Sequence, residues 1–408
     1  MLRNYFKIAI AVLKRRKFFT FISLFGISFT LTILMVATAF IDKLVNDPYP
    51  DAKRDRSLYI TKLEQKNQNF RSSGPMSFYF LDHYAGSLKV PVKMAISSSS
   101  QASNTYLNNK KIVINYKYTN ADFWDVLEYD FLEGKAFSKQ QIENAEHVAV
   151  ISEDIKKQYF GDVPSVVGKY IEADNTKYRI CGVVKSVPVT AYQFYSDIFI
   201  PYTVSKGDFK GKGYQGNYTA ILLAPTKAAV PAMKNEYEQM IKKVPMESKE
   251  FKQIFSHANS FLAGYLDSGN EDLSGVTILT ILLSVLALLV MLLPTLNLVN
   301  INITRIMERS SEIGVRKAFG ASSRTLVYQF IVENLILTLL GGLIGVVLSF
   351  LVIRLINQAH LINNLDLSLN FTVLLYALAT CIFFGFFSGV YPAWRMSKLN
   401  VVTALKSK

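Results

Sequence analysis

The sequence predicts an α+β membrane protein, four transmembrane helices with a large mixed α/β extracytoplasmic domain inserted between the first and second. Three observations predict it. Four apolar runs stand at residues 18–41, 276–299, 326–353 and 371–391, each longer than the roughly 20 residues needed to cross a hydrocarbon core. Half of the 408 residues are hydrophobic yet 19% are charged, so the two kinds of residue must be segregated along the chain. And the excess positive charge is confined to three segments beside the apolar runs.

The charge count sets the orientation. Residues 1–17 hold six basic groups and no acid, the segment 301–325 holds five against Glu308 and Glu312, and the tail after Tyr391 holds four against none. These segments carry thirteen of the chain's net +14. By the positive-inside rule both termini and the 300–325 loop face the cytoplasm, and residues 42–275 are translocated as one external domain. Basicity is thus a topology signal, and nucleic acid is not an expected partner.

Each element follows in order. Leu2, Tyr5, Phe6, Ala9, Val12 and Leu13 recur at helical spacing opposite Arg3, Asn4 and Lys7. That predicts an amphipathic helix over 1–17 lying on the inner membrane face, an unstructured basic flank being the other reading. The 18–41 run is too long for the apolar core of a cleaved signal peptide and reads as an uncleaved anchor. In the 42–275 domain, strands are predicted at 58–63, 111–118, 147–151, 178–184, 197–204 and 218–223, and a helix at 228–244. The polar run 97–109 reads as a long loop or a flexible insertion. Cys181 lies in this domain and Cys381 in the fourth span, so they cannot pair within a chain, and the domain must stand on its core.

The second span, 276–299, includes Pro294, predicted to kink it, and ends on the polar Asn297 and Asn300. Between the second and third spans lies RSSEIGVRKAFGAS, Arg309–Ser322. Glu312 and Arg316 are spaced for an acid-first ion pair on one helical face, and Val315, Ala318 and Phe319 form an apolar edge. Gly320 stands where a helix would end. Arg309, Arg316 and Lys317 offer charge to an acidic groove, Val315 and Phe319 an anchor, and Gly314 a place for close backbone approach. Read on these residues alone, the run either docks a partner or is a short surface helix in a stop-transfer flank. In the third span, Glu333 is an intramembrane acid that either contacts Arg or Asn groups of neighbouring helices or lies solvated at the interface. Gly341, Gly345 and Ser349 form one row of small residues, and Gly385 with Gly389 another in the fourth span, as close helix packing requires. A short external loop, 354–370, and a cytoplasmic tail, 392–408, complete the chain.

These motifs together resemble a permease of the MacB/FtsX superfamily of ABC transporters, the type VII or mechanotransmission class, which includes lipoprotein-releasing permeases. The run at Arg309–Ala321 is similar to its R-x-x-E-I-G-[IV]-R-K-A-[LF]-G-A signature, and Gln329 to Glu333 to its Q-F-x-x-E. Gly389 to Arg395 is similar to its G-x-x-P-A-x-R, and Val402 to Lys406 to its ending, with Val401 in place of the usual proline. Asp122–Phe123–Trp124, Gly134 to Phe137, His147 to Ser152, Tyr159–Phe160–Gly161 and Gly168 to Val184 follow its periplasmic-core pattern in order.

The resemblance implies that a separate cytoplasmic ABC ATPase subunit, holding ATP and magnesium itself, docks on the 301–325 loop. It implies further that a second permease chain pairs in a homo- or heterodimer and that ATP-driven motion moves the external domains. A periplasmic adaptor and an outer-membrane channel are further partners it allows, and membrane lipid surrounds the spans. No cofactor is expected on this chain, which has no G-x-x-x-x-G-K-[ST] loop. Neither H-E-x-x-H nor G-x-S-x-G occurs and the four histidines show no metal spacing, so an enzyme is not expected. The alternative within the superfamily is a regulatory complex that activates an external cell-wall hydrolase without exporting anything.

Overall fold

A computed structural model describes residues 15, 17–46, 48–107, 110–207, 209–266, 274–308, 315, 323–359 and 364–397. The amphipathic stretch expected over 1–17, apart from Arg15 and Lys17, and most of the 392–408 tail lie outside the described residues. The chain divides into a helical unit, Met1–Val45 with Leu279–Leu361 and Leu365–Lys408, and a sheet unit, Asn46–Ile278 with Ile362–Asn364.

All four apolar runs are helical: α1 spans Lys17–Asn46, α8 Gly275–Glu308, α9 Ser323–Gln358 and α10 Phe371–Ser397. Among the described residues, Lys17–Asn46 and Ile331–Gln358 are long and apolar enough to cross a membrane. Within α8 and α10 the apolar stretches found are the shorter Gly275–Leu286 and Leu374–Val390.

Among the described residues the sheet unit is built on thirteen strands: β1 Ser57–Ile60, β2 Leu63–Lys66, β3 Arg71–Gly74, β4 Lys93–Ser98, β5 Gln101–Leu107, β6 Lys110–Thr119, β7 Phe131–Gly134, β8 Val148–Ser152, β9 Tyr170–Ala173, β10 Thr176–Val184, β11 Ile198–Pro201, β12 Tyr218–Leu223 and β13 Gln253–Ser256. Ten of them form one mixed sheet in the order β1-β12-β4-β6-β11-β8-β10-β7, with β5 added to β6 and β9 to β10. The β6–β11 and β8–β10 pairs are parallel. A second, three-stranded sheet runs β13-β2-β3. Five helices lie between strands, α2 Phe78–His83, α3 Phe123–Val126, α4 Lys139–Glu143, α5 Glu153–Phe160 and α6 Val230–Ile241, and α7 Phe261–Tyr265 follows the last strand.

The large sheet separates two apolar cores, and the two-residue period of a strand assigns its side chains to them. Leu58 and Ile60 of β1, Ala149 and Ile151 of β8, and Ile198 and Ile200 of β11 join one core, with Met233 and Tyr237 of α6. Tyr59, Val148, Val150 and Phe199 join the other, with Phe123, Val126 and Phe137. Strands buried on both faces read as unbroken apolar runs, which is why β8 and β11 were legible.

Two expectations change. Residues 97–109 are not a long loop: Gln101–Leu107 is a strand in register with Lys110–Tyr116 of β6. Its Ser, Asn and Gln residues hid an in–out alternation, half-buried Gln101 and Ser103 against exposed Ala102 and Asn104, because pairing satisfies the backbone whatever the side chains are. The predicted 58–63 strand breaks between β1 and β2, which lie in different sheets.

Gly134 closes the β7 end of the large sheet. Its φ is +63°, and a Cβ there would fall 2.1 Å from the carbonyl oxygen of Cys181, so only glycine fits. Cys181 itself donates its thiol to the Ala149 carbonyl at 3.2 Å, and burial pushes its pKa up to about 11.

Lys117, on β6 between Tyr116 and Tyr118 of the first core, points the opposite way and is 2% exposed. Its ammonium donates to the carbonyls of Tyr192 (2.9 Å) and Gln193 (2.6 Å), and burial lowers its pKa from 10.5 to about 7. Between those two values the unfolded chain holds a proton that the folded chain has released, so this group makes stability rise with pH through that window, by up to about 1.4 kcal/mol per unit. Thermal unfolding of the purified full-length protein at pH 7 and pH 9 is expected to show a gain on alkalinisation that Lys117→Met largely removes. Equal gains in both proteins would refute the assignment.

Candidate functional site

The structure brings most of the sequence-predicted residues to the helical unit. The Arg309–Ser322 run lies outside the described residues, apart from Val315, which is helical and 45% exposed. Glu312, Gly314, Arg316, Lys317, Phe319 and Gly320 therefore have no described placement. Asn297 and Asn300 lie on α8; Asn300 is exposed, and its carbonyl accepts from the Thr304 hydroxyl at 3.0 Å.

The small-residue rows have defined neighbours, and α9 stands between α1 and α10. On one side a Cβ at Gly341 would meet Ile27 at 2.8 Å, and one at Gly345 would meet Leu31 at 2.9 Å and the Ser28 carbonyl at 3.0 Å. Ile27 and Leu31 belong to the buried stripe of α1, with Ser23, Ser28, Met35 and Ala39. The Thr32 hydroxyl donates to the Ser28 carbonyl at 2.7 Å and to the Gly345 carbonyl at 3.3 Å. Ser349, fully buried, donates to the same Gly345 carbonyl at 2.7 Å.

On the other side a Cβ at Gly385 would fall 2.2 Å from the Thr338 hydroxyl, and one at Gly389 would fall 2.8 Å from the Asn334 amide. The Asn334 amide donates to the Gly385 carbonyl (2.7 Å) and to Ser388 (2.9 Å). Beside it Glu333 is 3% exposed, buried with Asn334 and not solvated. In hydrocarbon nothing hydrophobic drives one helix to another, so contact rests on close approach and on interhelical hydrogen bonds of about 1 kcal/mol each. The glycines were legible in the sequence. Asn334 was not, because an amide beside a carboxylate draws less notice than the carboxylate.

Sequence reasoning missed a second constellation, in the sheet unit, where residues 48–60 and 257–266 meet. Asp51 is fully buried and accepts from Arg54 Nε at 2.9 Å and from the Tyr59 hydroxyl. Burial is the largest influence on its pKa and raises it, against the Tyr59 and Arg54 hydrogen bonds that lower it. The Arg54 guanidinium lies 3.8 Å above the Phe261 ring, which also packs T-shaped against Tyr59. Tyr59 and Asn259 exchange backbone hydrogen bonds of 2.7 and 3.0 Å. The loop pinned by Lys117 completes the knot: Phe194 stacks on Phe261 and Tyr192 packs on Tyr265. Removing one partner of such a buried pair strands the other, at about 3–5 kcal/mol.

The chain thus carries a mixed α/β domain between its first two long apolar helices, followed by closely packed apolar helices. The family model described as MacB-like periplasmic core domain matches residues 20–240, and that described as FtsX-like permease C-terminal matches residues 284–401. The chain belongs to the MacB/FtsX superfamily of permeases.

It is 28% identical over 331 residues to the macrolide export ATP-binding/permease protein MacB of Shewanella oneidensis, covering 79% of this chain and 48% of that protein. It is 24% identical over 291 residues to the pyoverdine export ATP-binding/permease protein PvdT of Pseudomonas fluorescens, covering 71% and 42%. The chain thus spans about half the length of the curated relatives it matches. The crystal structure of the periplasmic region of MacB from Actinobacillus actinomycetemcomitans aligns at 13% identity and a TM-score of 0.38, covering 55% of this chain and 98% of that one.

The glycine contacts predict an asymmetry. Gly385→Val must push α10 away from Thr338 and is expected to lower the melting temperature of the detergent-purified protein by several degrees, whereas Gly26→Ala, with nothing within 4 Å of its Cβ, is expected to leave it unchanged. Equal effects of the two substitutions would contradict the packing described.

Proposed function

We propose that this chain is the permease of an ABC-type exporter. It crosses the inner membrane four times, with both termini and the 300–325 loop in the cytoplasm and residues 42–275 outside. A separate cytoplasmic ATPase docks on the loop through Arg309, Glu312, Gly314, Val315, Arg316, Lys317, Phe319 and Gly320. Two permease chains pair, and closure of the ATPase subunits is transmitted through α1, α8, α9 and α10 to the external domain. Its movement extracts or exports a substrate from the periplasm or the outer leaflet, as in efflux or lipoprotein release, with a periplasmic adaptor and an outer-membrane channel as candidate further partners.

The observation that carries this reading is the union on one chain of a MacB-like core domain and an FtsX-like permease region whose polar loop holds the RSSEIGVRKAFGAS run. The charge distribution supports the orientation, since thirteen of the fourteen net positive charges flank the apolar runs on one predicted side. The export substrates named for relatives, a macrolide and pyoverdine, support a transport role. The knot around Phe261 and the glycine contacts of α9 suit transmission, because rigid contacts pass displacement on and loose ones absorb it.

Two experiments test the reading. Replacing Glu312, Arg316 and Phe319 together by Ala is expected to abolish copurification of the ATPase while membrane insertion persists; undiminished recovery of the ATPase would overturn the docking assignment. In a cysteine-free background, a cysteine at the exposed Ser100 is expected to react with an impermeant reagent from outside. One at Ser407 is expected to react only after permeabilisation, and the reverse pattern would overturn the topology.

A further inference from the structure

We propose that the C-terminal end of α9 carries a binding site for a phospholipid, recognised through its phosphate by Arg354 and through its acyl chain by the neighbouring apolar groups. Phe350, Ile353, Arg354 and Asn357 follow one another at helical spacing along one face of α9, and this face lines a cavity of about 580 Å³. The opposite wall is the stretch Leu367 to Leu369. That wall is fixed to the helix: the Asn357 amide donates to the Leu367 carbonyl at 2.9 Å, and the Leu367 N–H donates back to the Asn357 side-chain oxygen at 3.0 Å. Ile353 and Leu367 are buried and form the floor. A cleft whose wall is held by both backbone groups of one residue is pre-organised, so occupancy costs little ordering.

The chemistry of the lining selects the ligand. Arg354 is exposed, and among the described residues it makes no ion pair. No acid lines the cavity, and Gln358 and Ser368 add neutral donors. Asp366, one residue before the wall, is also exposed and does not reach Arg354. A planar guanidinium with neutral donors beside it matches a phosphate, which it can hold through two parallel hydrogen bonds.

The position supplies the rest. Arg354 directly follows the apolar run 326–353, so where α9 crosses a membrane its head falls at the depth of lipid headgroups while Phe350, 56% exposed one turn earlier, falls at the depth of acyl chains. An arginine that merely reached for water from a helix end would need no walled cavity. On the proposed topology this end faces the outer leaflet, where positive charge is disfavoured, and a bound phosphate gives the cation a local reason to be there. Only the choice of leaflet rests on that topology; the binding does not.

The test uses the full-length protein in neutral detergent, with thermal unfolding followed during titration of three probes. Dioctanoyl phosphatidylglycerol carries phosphate and chains, dioctanoylglycerol the chains alone, and inorganic phosphate the phosphate alone. Phosphatidylglycerol is expected to raise the melting temperature saturably, by several degrees, and the other two are expected to leave it unchanged at equal concentration. Arg354→Ala is expected to raise the half-maximal phosphatidylglycerol concentration about tenfold, as loss of a charge-assisted pair of about 1.4 kcal/mol requires, with Arg354→Lys between it and wild type. Protection by dioctanoylglycerol equal to that by phosphatidylglycerol would show that no phosphate is read. Equal protection by inorganic phosphate would make this a free-anion site and overturn the lipid assignment. An unshifted titration in Arg354→Ala, or in Arg354→Gln should the alanine variant fold poorly, would place the lipid elsewhere.

Discussion

A domain inserted between two helices can be moved only through the segments that leave those helices, and here both segments converge on one strand. Tyr59 of β1 exchanges backbone hydrogen bonds with Asn259 on the returning side, and the Asp51, Arg54 and Phe261 group closes over the same residue. A displacement of either segment therefore reaches the edge of the ten-stranded sheet at β1, and from there β12 and β4 by continuous pairing. Burying an acid and a guanidinium together is a costly way to join two segments, and an apolar plug of the same volume would often be as stable. What the charged arrangement adds is direction, since Asp51, Arg54 and Tyr59 must keep one geometry to satisfy one another.

The helical unit meets the same need by different means. Its long helices are apolar on nearly every side, so burial of apolar area cannot choose one arrangement over another. Shape does the choosing: the α9 backbone meets Ile27 and Leu31 of α1 at Gly341 and Gly345, and α10 reaches Thr338 and Asn334 of α9 through Gly385 and Gly389. The amide of Asn334 then fixes the register of α10 by binding Gly385 and Ser388. Contacts this close leave no compressible layer between helices, which is the mechanical property a permease of the proposed kind needs.

Much of this was legible in the sequence, and the limits have physical causes. Apolar length announced the four helices, and strands buried on both faces, such as Val148–Ser152, announced themselves as unbroken apolar runs. β5 was hidden because strand pairing needs only backbone groups, and its Gln, Ser and Asn side chains resemble those of a loop. The glycine rows were visible but their partners were not, because nothing local to Gly385 points to Thr338. The knot at Phe261 was invisible for the same reason: Arg54 and Phe261 are far apart in the chain, and the fold alone brings a cation over that ring. The RSSEIGVRKAFGAS run remains the reverse case, fully legible as a motif and, apart from Val315, outside the described residues.

The lone cysteine of the sheet unit bears on where such a domain can survive. Outside the cytoplasm thiols are exposed to oxidants and to disulfide exchange, both of which begin with the thiolate. With a pKa pushed up to about 11 and its proton engaged by the Ala149 carbonyl, Cys181 is ionised to only about one part in ten thousand at neutral pH. Partial burial and the Ala149 hydrogen bond thus act as chemical insulation, lowering the reactivity of a free sulfhydryl that a domain with no partner cysteine of its own must carry.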